Sequence, residues 1–182
     1  MKIKCRFFLQ RVRIISGITI RLETAQVSEL KRQRCPICSV FCSDIDDFHC
    51  SLLKFGRYNF VLLTNNKTLY SFFLFGLIAD NFKHFEEVVR EIVFKLLIES
   101  GLAQSQFEKI LESMETFNYS KTSNRNVIAS MNDMKKQIES YLEMGDDIYA
   151  TNKKLNKTLY KTIGYNYPVE LFREMLKREI IS

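Results

Sequence analysis

Apolar and polar residues alternate with a period of two in the first part of the chain, which is typical of β-strands. Residues 18–23 show this alternation, and residues 48–55 fit a second short strand. Residues 58–64 and 68–75 are two nearly continuous apolar runs, joined by Asn65-Asn66-Lys67, residues that favour a turn. These runs predict a β-hairpin that lies centrally in a sheet and is covered on both faces.

After Asp80 the apolar period changes to 3.6, which is typical of amphipathic helices. About five helical segments follow, and residues 116–121 between the second and third fit a short strand or a linker. The predicted start and stop signals are N-caps at Ser105 and Ser123, a helix start near Asp147, breaks at Gly101, Gly145 and Gly164, and Pro168 at the first position of the last helix. The sequence therefore predicts an α+β fold, with an antiparallel sheet from the N-terminal half covered by about five helices from residue 82 onward.

The composition fits one globular domain over residues 1–182. The chain is 46% hydrophobic and 26% charged, and its six Gly and two Pro exclude collagen-like and Pro/Gly-rich disordered classes. The longest apolar stretch, residues 69–79, is about half the ~20 residues that span a bilayer, so we expect no membrane association. Four of the five cysteines crowd into residues 35–50, which favours reduced thiols and a cytoplasmic location. The sequence specifies neither a small-molecule ligand nor an oligomeric state.

The basic charge of the chain is concentrated at its N-terminus. Residues 1–34 hold nine basic and two acidic residues, a net charge of +7, whereas the rest of the chain carries −1. We define residues 1–45 as the basic N-terminal segment. Such asymmetry indicates either contact with nucleic acid or an anionic surface, or simply a solvated basic face.

A cysteine motif in this segment suggests a zinc site. Cys35 and Cys38 have the C-x2-C spacing that presents two thiolates to one tetrahedral zinc, and Cys42 with Cys50 or His49 could complete the ligand set. If residues 48–55 form a strand, however, His49 and Cys50 point to opposite faces. The alternative is that these are partly buried thiols in a connector. A structural zinc is the sole cofactor that the sequence suggests.

A polar segment at the start of the third predicted helix is a candidate binding site. Arg125 lies in the first turn, where a cation opposes the helix dipole unless it meets an anion. The nearby Asn126 and Asn132 are weak helix formers, and Asp133 shares one helix face with Asn126. The functional interpretation is an anion or phosphate site, and the alternative is a polar network that ties the helix to the sheet edge.

A second candidate surface combines lysines with tyrosines. Asn152, Lys153, Asn156 and Lys157 lie in a stretch that has no acidic residue between positions 148 and 169. The stretch also contains Lys161 and nearby Tyr160, Tyr165 and Tyr167. Cations interleaved with aromatic rings suit single-stranded nucleic acid, through phosphate contacts and base stacking. The alternative is an exposed lysine face whose tyrosines pack inward.

Standard catalytic motifs are absent from the sequence, including G-x-S-x-G, H-E-x-x-H, the Walker loop and G-x-G-x-x-G. His49 follows three aspartates within residues 44–47, and an Asp–His pair could act as a general base with a cysteine nucleophile. The spacing equally fits a structural histidine. The sequence therefore leaves open whether the protein is an enzyme.

Two motifs have a distinctive composition: N-R-x-V-x-x-S-M-N-D at residues 124–133, and VLLTNNKTLYSFFLFGL at residues 61–77. With residues 1–5, 47–52, 85–88, 155–158 and 164–168, the chain resembles an uncharacterised family of small bacterial proteins known only as a domain of unknown function. The resemblance covers most of residues 47–178 and implies a compact α+β domain of cytoplasmic bacterial or mobile-element origin. It implies no activity, cofactor or catalytic residue. Residues 6–45 depart from the family pattern, which weakens the zinc interpretation.

The leading hypothesis is a non-enzymatic interaction protein that binds an acidic protein partner or nucleic acid. It would use the basic N-terminal segment, Arg125 and residues 152–161. One alternative is a small hydrolase or nuclease-like toxin of a mobile element, which requires Arg125, Asn126, Asp133 and His49 to converge in one pocket. Another alternative is a host-interaction or anti-defence factor.

Overall fold

A computed structural model describes residues 18–22, 47–55, 58–74, 84–99, 103–114, 117–121 and 124–181 of the chain. The strands in these ranges are β1 (Ile18–Leu22), β2 (Asp47–Phe55), β3 (Tyr58–Asn65), β4 (Ser71–Leu74) and β5 (Phe117–Lys121). The helices are α1 (Phe85–Glu99), α2 (Gln104–Ser113), α3 (Arg125–Glu143), α4 (Ile148–Asn156) and α5 (Pro168–Ile181), with a 3₁₀ turn at Lys161–Ile163. The predicted α+β class, with strands first and helices after residue 82, is confirmed.

The strands form one sheet in the order β4-β3-β2-β1-β5. The strands β2, β3 and β4 are antiparallel, as predicted, with Leu53 opposite Phe60 and Leu62 opposite Phe73. The finer topology differs from the expectation, because β1 pairs in parallel with β2 and β5. Within the segment 116–121, predicted as a strand or a linker, residues Phe117–Lys121 therefore form a strand at the edge of the sheet as described.

Each face of the sheet carries its own hydrophobic cluster, because alternate residues of a strand point to opposite faces. One face packs against α1, α2 and α5, and the other packs against α3 and α4. The first cluster includes Phe48, Cys50, Val61, Leu63, Phe72, Leu74, Val89, Leu97, Ile110 and Phe172. The second includes Leu53, Phe60, Leu62, Leu69, Phe73, Val127, Met131, Met134, Ile138 and Leu155. The expected covering of the hairpin on both faces is therefore confirmed.

The turn between β3 and β4 is longer than the sequence predicts. Asn65 Oδ1 accepts hydrogen bonds from the backbone N–H groups of Lys67 and Thr68, at 3.1 and 3.0 Å. Leu69 then adopts a positive φ of 57°. The backbone reaches a strand conformation only at Ser71, three residues after the predicted start of this strand. Leu69 is buried in the second cluster, and this burial offsets the cost of its left-handed backbone.

Several predicted helix ends are confirmed. Asp147 caps α4 by accepting from the N–H of Ala150, and Pro168 occupies the first position of α5. The chain leaves α3 through Gly145, with a φ of 86°. The N-cap of α3 is Asn124 and not Ser123. The predicted break at Gly101 lies outside the described residues.

Candidate functional site

Helix α4 has one exposed face and one buried face, and the two faces differ in composition. Tyr149, Lys153 and Lys157 recur every fourth residue, which places them on one stripe of the helix, and all three are exposed. The opposite half is buried and includes Asn152, Leu155 and Asn156. The helix therefore presents lysine and tyrosine to solvent while its asparagines face the protein.

The buried asparagines bind the outer edge of β4. Asn156 accepts from the N–H of Ser71 at 2.8 Å and donates to the carbonyl oxygen of Ser71 at 2.8 Å. Asn152 makes the same pair of bonds to Phe73, at 2.8 and 2.9 Å. A step of four helix residues advances about 6 Å and a step of two strand residues about 6.6 Å, so the two carboxamides match alternate residues of β4.

These contacts correct the expected position of β4 and show what two of the candidate residues bind within the fold. Among the described strands, β4 lies at the edge of the sheet and not in its centre, and α4 takes the place of a further strand. Covering an edge in this way protects its backbone groups from water and from other chains. Asn152 and Asn156 were candidate binding residues, but their amide groups are occupied by β4, so their contacts in the structure serve the fold.

The turn that follows α4 folds back on α3. The Oγ atoms of Ser130 and Thr162 are 2.7 Å apart, and Ser130 also donates to the carbonyl oxygen of Asn126 at 3.1 Å. The buried hydroxyl of Tyr160 lies 3.3 Å from Gln137 Oε1. Burial raises the pKa of the Tyr160 phenol. The exposed Lys161 is therefore held beside the N-terminal half of α3.

Three lysines on this side are available to a ligand. Lys154 is not one of them, because it forms an ion pair with Asp146 and lies 5.0 Å from the ring centroid of Tyr141. Within the described part of the chain, Lys153, Lys157 and Lys161 have no carboxylate partner. We define the lysine–tyrosine surface as the exposed side chains of Tyr149, Lys153, Lys157, Lys161, Tyr165 and Tyr167.

The start of α3 lies next to this turn. Arg125 and Asn126 are exposed in its first turn, and Asn126 is joined to Thr162 through Ser130. Asn132 and Asp133 are exposed further along the helix. The negative charge of Asp133 adds to the burial that raises the pKa of Tyr160. The start of α3, which carries Arg125 and Asn126, therefore lies next to the turn that carries Lys161 of the lysine–tyrosine surface.

His49 belongs to a separate, buried network. Its side chain is 1% exposed, and its Nε2 lies 3.2 Å from Asn66 Oδ1. Asn66 donates to Asp47 Oδ2 at 2.9 Å, and Asn124 donates to Asn66 Oδ1 at 2.9 Å. Because Asn66 Oδ1 is the acceptor, the His49 ring donates from Nε2. This network joins β2, the β3–β4 turn and the start of α3.

The structure does not bring the proposed toxin residues into one pocket. His49 is enclosed beneath α3, whereas Asp133 is exposed and lies nine residues beyond the N-cap Asn124, about 13 Å along the axis. Arg125 and Asn126 lie at the near end of that helix. The geometric condition for a hydrolase built from these four side chains is therefore not met.

Only some of the candidate zinc ligands lie in the part of the chain that the structure describes. Cys35, Cys38 and Cys42 lie outside the described residues, as does most of the basic N-terminal segment. Cys50 is buried in the apolar first cluster, on the face opposite His49, as the strand geometry predicted. Among the side chains that the structure describes, His, Cys, Asp and Glu form no group of three or more that could hold a metal ion.

The sequence assigned Asn66 to a turn and Asn124 to the motif at residues 124–133, and Tyr149 was not singled out. Tyr149 lies four residues before Lys153, so helical spacing alone could have placed it on the lysine stripe. Asn66 and Asn124 are 58 residues apart and are joined only by the tertiary fold. The sequence carries no signal for such a contact.

Replacing Asn124 by alanine tests the junction between α3 and the network. Asn124 Oδ1 accepts from the N–H groups of Asn126 and Val127, at 3.2 and 3.4 Å. We expect Asn124→Ala to lower the free energy of unfolding by about 1–2 kcal/mol and the Tm by roughly 2–8 °C, measured by circular dichroism. Asn124→Asp keeps the cap but loses the donation to Asn66, so we expect a smaller loss. Equal losses in the two variants would contradict the capping role.

Comparison with known proteins identifies a family for this chain, and the description of that family names no activity. A family model described as Domain of unknown function (DUF6933) matches residues 20–171. Curated proteins give no match. Among the residues described, no helix has both the length and the apolar character needed to cross a membrane.

Proposed function

We propose that this chain, which belongs to the family described as Domain of unknown function (DUF6933), binds single-stranded nucleic acid through the lysine–tyrosine surface. One observation carries the proposal: residues 148–169 contain four lysines and no acidic residue, and their exposed side chains include both cations and aromatic rings. The rest of the site supports it through charge, ring exposure and position.

The cations are suited to phosphate contacts. Lys153 lies on α4, Lys157 is the C-cap of that helix and Lys161 begins the 3₁₀ turn that follows, so three exposed cations lie within nine residues of the chain. Arg125 adds a fourth exposed cation at the neighbouring end of α3. The sequence adds a net charge of +7 in residues 1–34. Lysine and arginine attract the nucleic-acid backbone with little dependence on sequence.

The tyrosines favour a single strand over a duplex and over an acidic protein. Tyr149, Tyr165 and Tyr167 are 44%, 64% and 39% exposed, whereas a lysine face that merely kept the protein in solution would need no exposed rings. Unpaired bases stack on such rings, and bases inside a duplex are not accessible to them. An acidic peptide would use the lysines but gain little from the rings.

The proposal places the protein in the cytoplasm, where single-stranded RNA is plentiful, and in a bacterium or its phage. The location is supported by the crowding of four cysteines within residues 35–50, which is typical of reduced thiols. The origin is supported by the family resemblance of the sequence.

Fluorescence anisotropy tests the proposal directly. The full chain is titrated into labelled single-stranded RNA, single-stranded DNA, duplex DNA and poly-glutamate, at salt concentrations from about 50 mM upward. We expect both single strands to bind more tightly than the duplex, with affinity falling as salt rises. Failure to bind any nucleic acid at the lowest salt would overturn the proposal. Preferential binding of poly-glutamate would also overturn it, in favour of an acidic protein partner.

The triple variant Lys153→Gln, Lys157→Gln, Lys161→Gln locates the binding. Three lost phosphate contacts reduce the slope of log affinity against log salt by about 2, so we expect binding to weaken roughly 100-fold or more at about 50 mM salt. The matched control is Lys95→Gln, Lys177→Gln, Arg178→Gln, which removes the same charge from α1 and α5, on the other face of the sheet. An equal loss in both variants would show that net charge, and not this surface, governs binding.

A further inference from the structure

Two residues other than glycine in the described chain have a left-handed backbone, and only one of them is buried. Leu69 has a φ of 57° and is fully buried, whereas Tyr165 has a φ of 58° and is 64% exposed. A tyrosine in this conformation brings its Cβ too close to the following carbonyl oxygen, a cost that asparagine and glycine largely avoid. Core packing of Leu69 offsets the energetic cost of its left-handed backbone, but the exposed ring of Tyr165 makes few contacts that could offset the same cost.

The backbone around Tyr165 is firmly held. Its N–H donates to the carbonyl oxygen of Tyr160 at 2.9 Å, and Asn166 pairs with Tyr160 in an antiparallel bridge. Asn166 Nδ2 donates to the carbonyl oxygen of Ile163 at 2.8 Å, and Gly164 before it is also left-handed, with a φ of 66°. The turn is anchored to the interior through the buried Tyr160. The Tyr165 ring is therefore presented to solvent from a fixed backbone.

From this combination we infer that Tyr165 is the platform on which an unpaired nucleobase stacks, a subsite of the proposed binding surface. The inference rests on the proposed function. A ring presented from a held turn loses less freedom on binding than one on a mobile loop. Lys161, four residues earlier in the same turn, is exposed and supplies a cation for the adjacent phosphate.

The variant Tyr165→Asn separates a role in binding from a role in folding. Asparagine tolerates the left-handed backbone, so we expect the Tm to stay the same or to rise by roughly 2–4 °C. Loss of one stacked base should weaken binding of a single strand of about 12 nucleotides roughly 5- to 150-fold. The salt slope should not change, because no charge is removed. Tyr165→Phe keeps the ring and should bind within about twofold of the natural chain.

The controls distinguish this subsite from the surface as a whole. Phe94→Asn removes a 40% exposed ring from α1, on the other face of the sheet, and should leave binding unchanged. An abasic strand, which keeps its phosphates but lacks bases, should bind Tyr165→Asn and the natural chain equally. If the natural chain binds no single strand, the proposed function itself fails. If it binds but Tyr165→Asn binds equally well, or if Tyr165→Asn loses thermal stability, the stacking inference alone is overturned.

Discussion

Replacing Asn152 or Asn156 by alanine is expected to lower the free energy of unfolding by about 2–5 kcal/mol for each residue. Each carboxamide satisfies one N–H and one carbonyl group of β4, at Phe73 and Ser71 respectively. Alanine leaves both groups buried without these partners, and each orphaned group costs about 1–3 kcal/mol. Thermal and urea unfolding should show a Tm lower by roughly 5–20 °C.

Asn132→Ala provides the matched control, because it makes the same change on the exposed side of α3. We expect it to alter the free energy of unfolding by no more than about 0.5 kcal/mol. The larger loss of stability in Asn152→Ala and Asn156→Ala would then be due to the position of these asparagines and not to the residue type. If Asn152→Ala and Asn156→Ala were as stable as this control, the proposed role of α4 in completing the sheet edge would be wrong.

Asn156→Asp examines the same contact through its dependence on pH. An aspartate keeps an acceptor for the N–H of Ser71 but places its second oxygen near the carbonyl oxygens of Ser71 and Asn152, where Asn156 Nδ2 now donates at 2.8 and 3.0 Å. Burial beside these oxygens disfavours the charged form and raises the pKa of the new carboxyl above its usual value of about 3.9. The protonated form is therefore favoured in the folded state, so stability relative to Asn156→Ala should increase as pH falls toward that value and decrease as pH rises. A pH-independent difference would contradict this contact.

The sequence predicted the helices well because their signals are local. The apolar stripe of α3, the cap at Asp147 and Pro168 at the start of α5 each depend on residues within a few positions of one another. The same holds for the β3–β4 hairpin, whose apolar runs indicate burial on both faces. Pairing between β1 and β5 joins segments about a hundred residues apart, and no local pattern specifies it.

The edge position of β4 shows where a local pattern misleads. An unbroken apolar run is typical of a central strand, because a sheet edge normally meets water. Here α4 covers that edge with two carboxamides. Their spacing of four residues beside Leu155 could have indicated a buried polar pair. It could not identify the pair's partner, since asparagine binds a ligand and a backbone with the same groups.

The candidate site was predicted in part for a similar reason. Exposed lysines follow from a helical stripe, so Lys153 and Lys157 could be placed on the surface from the sequence. His49 could not be placed from the sequence, because a histidine beside aspartates fits both a catalytic pair and a buried network. Only the bond to Asn66, 17 residues away, distinguishes the two. The positive φ of Tyr165 likewise depends on the bridge between Tyr160 and Asn166.

Phe172→Ala is expected to lower the free energy of unfolding by about 3–5 kcal/mol, because it opens a cavity where α5 meets the sheet. The Phe172 ring is fully buried and stacks on Tyr70, with centroids 4.3 Å apart and an interplanar angle of 9°. Tyr70 directly precedes β4, and its ring also packs edge-on against Phe72 at 5.2 Å. Loss of the Phe172 ring therefore weakens the contact between the last helix and the β3–β4 hairpin.

Phe172→Leu and Lys177→Ala separate the cavity from a general weakening of α5. Leucine fills much of the space, so we expect Phe172→Leu to lower the free energy of unfolding by less than half as much as Phe172→Ala. The loss that remains in Phe172→Leu measures the stacking of Phe172 on Tyr70. Lys177 is exposed on the same helix, and Lys177→Ala should change the free energy of unfolding by no more than about 0.5 kcal/mol. Urea unfolding followed by circular dichroism measures all three variants. A Phe172→Ala chain as stable as Lys177→Ala would mean that α5 does not anchor on Tyr70 and that the first cluster closes without it.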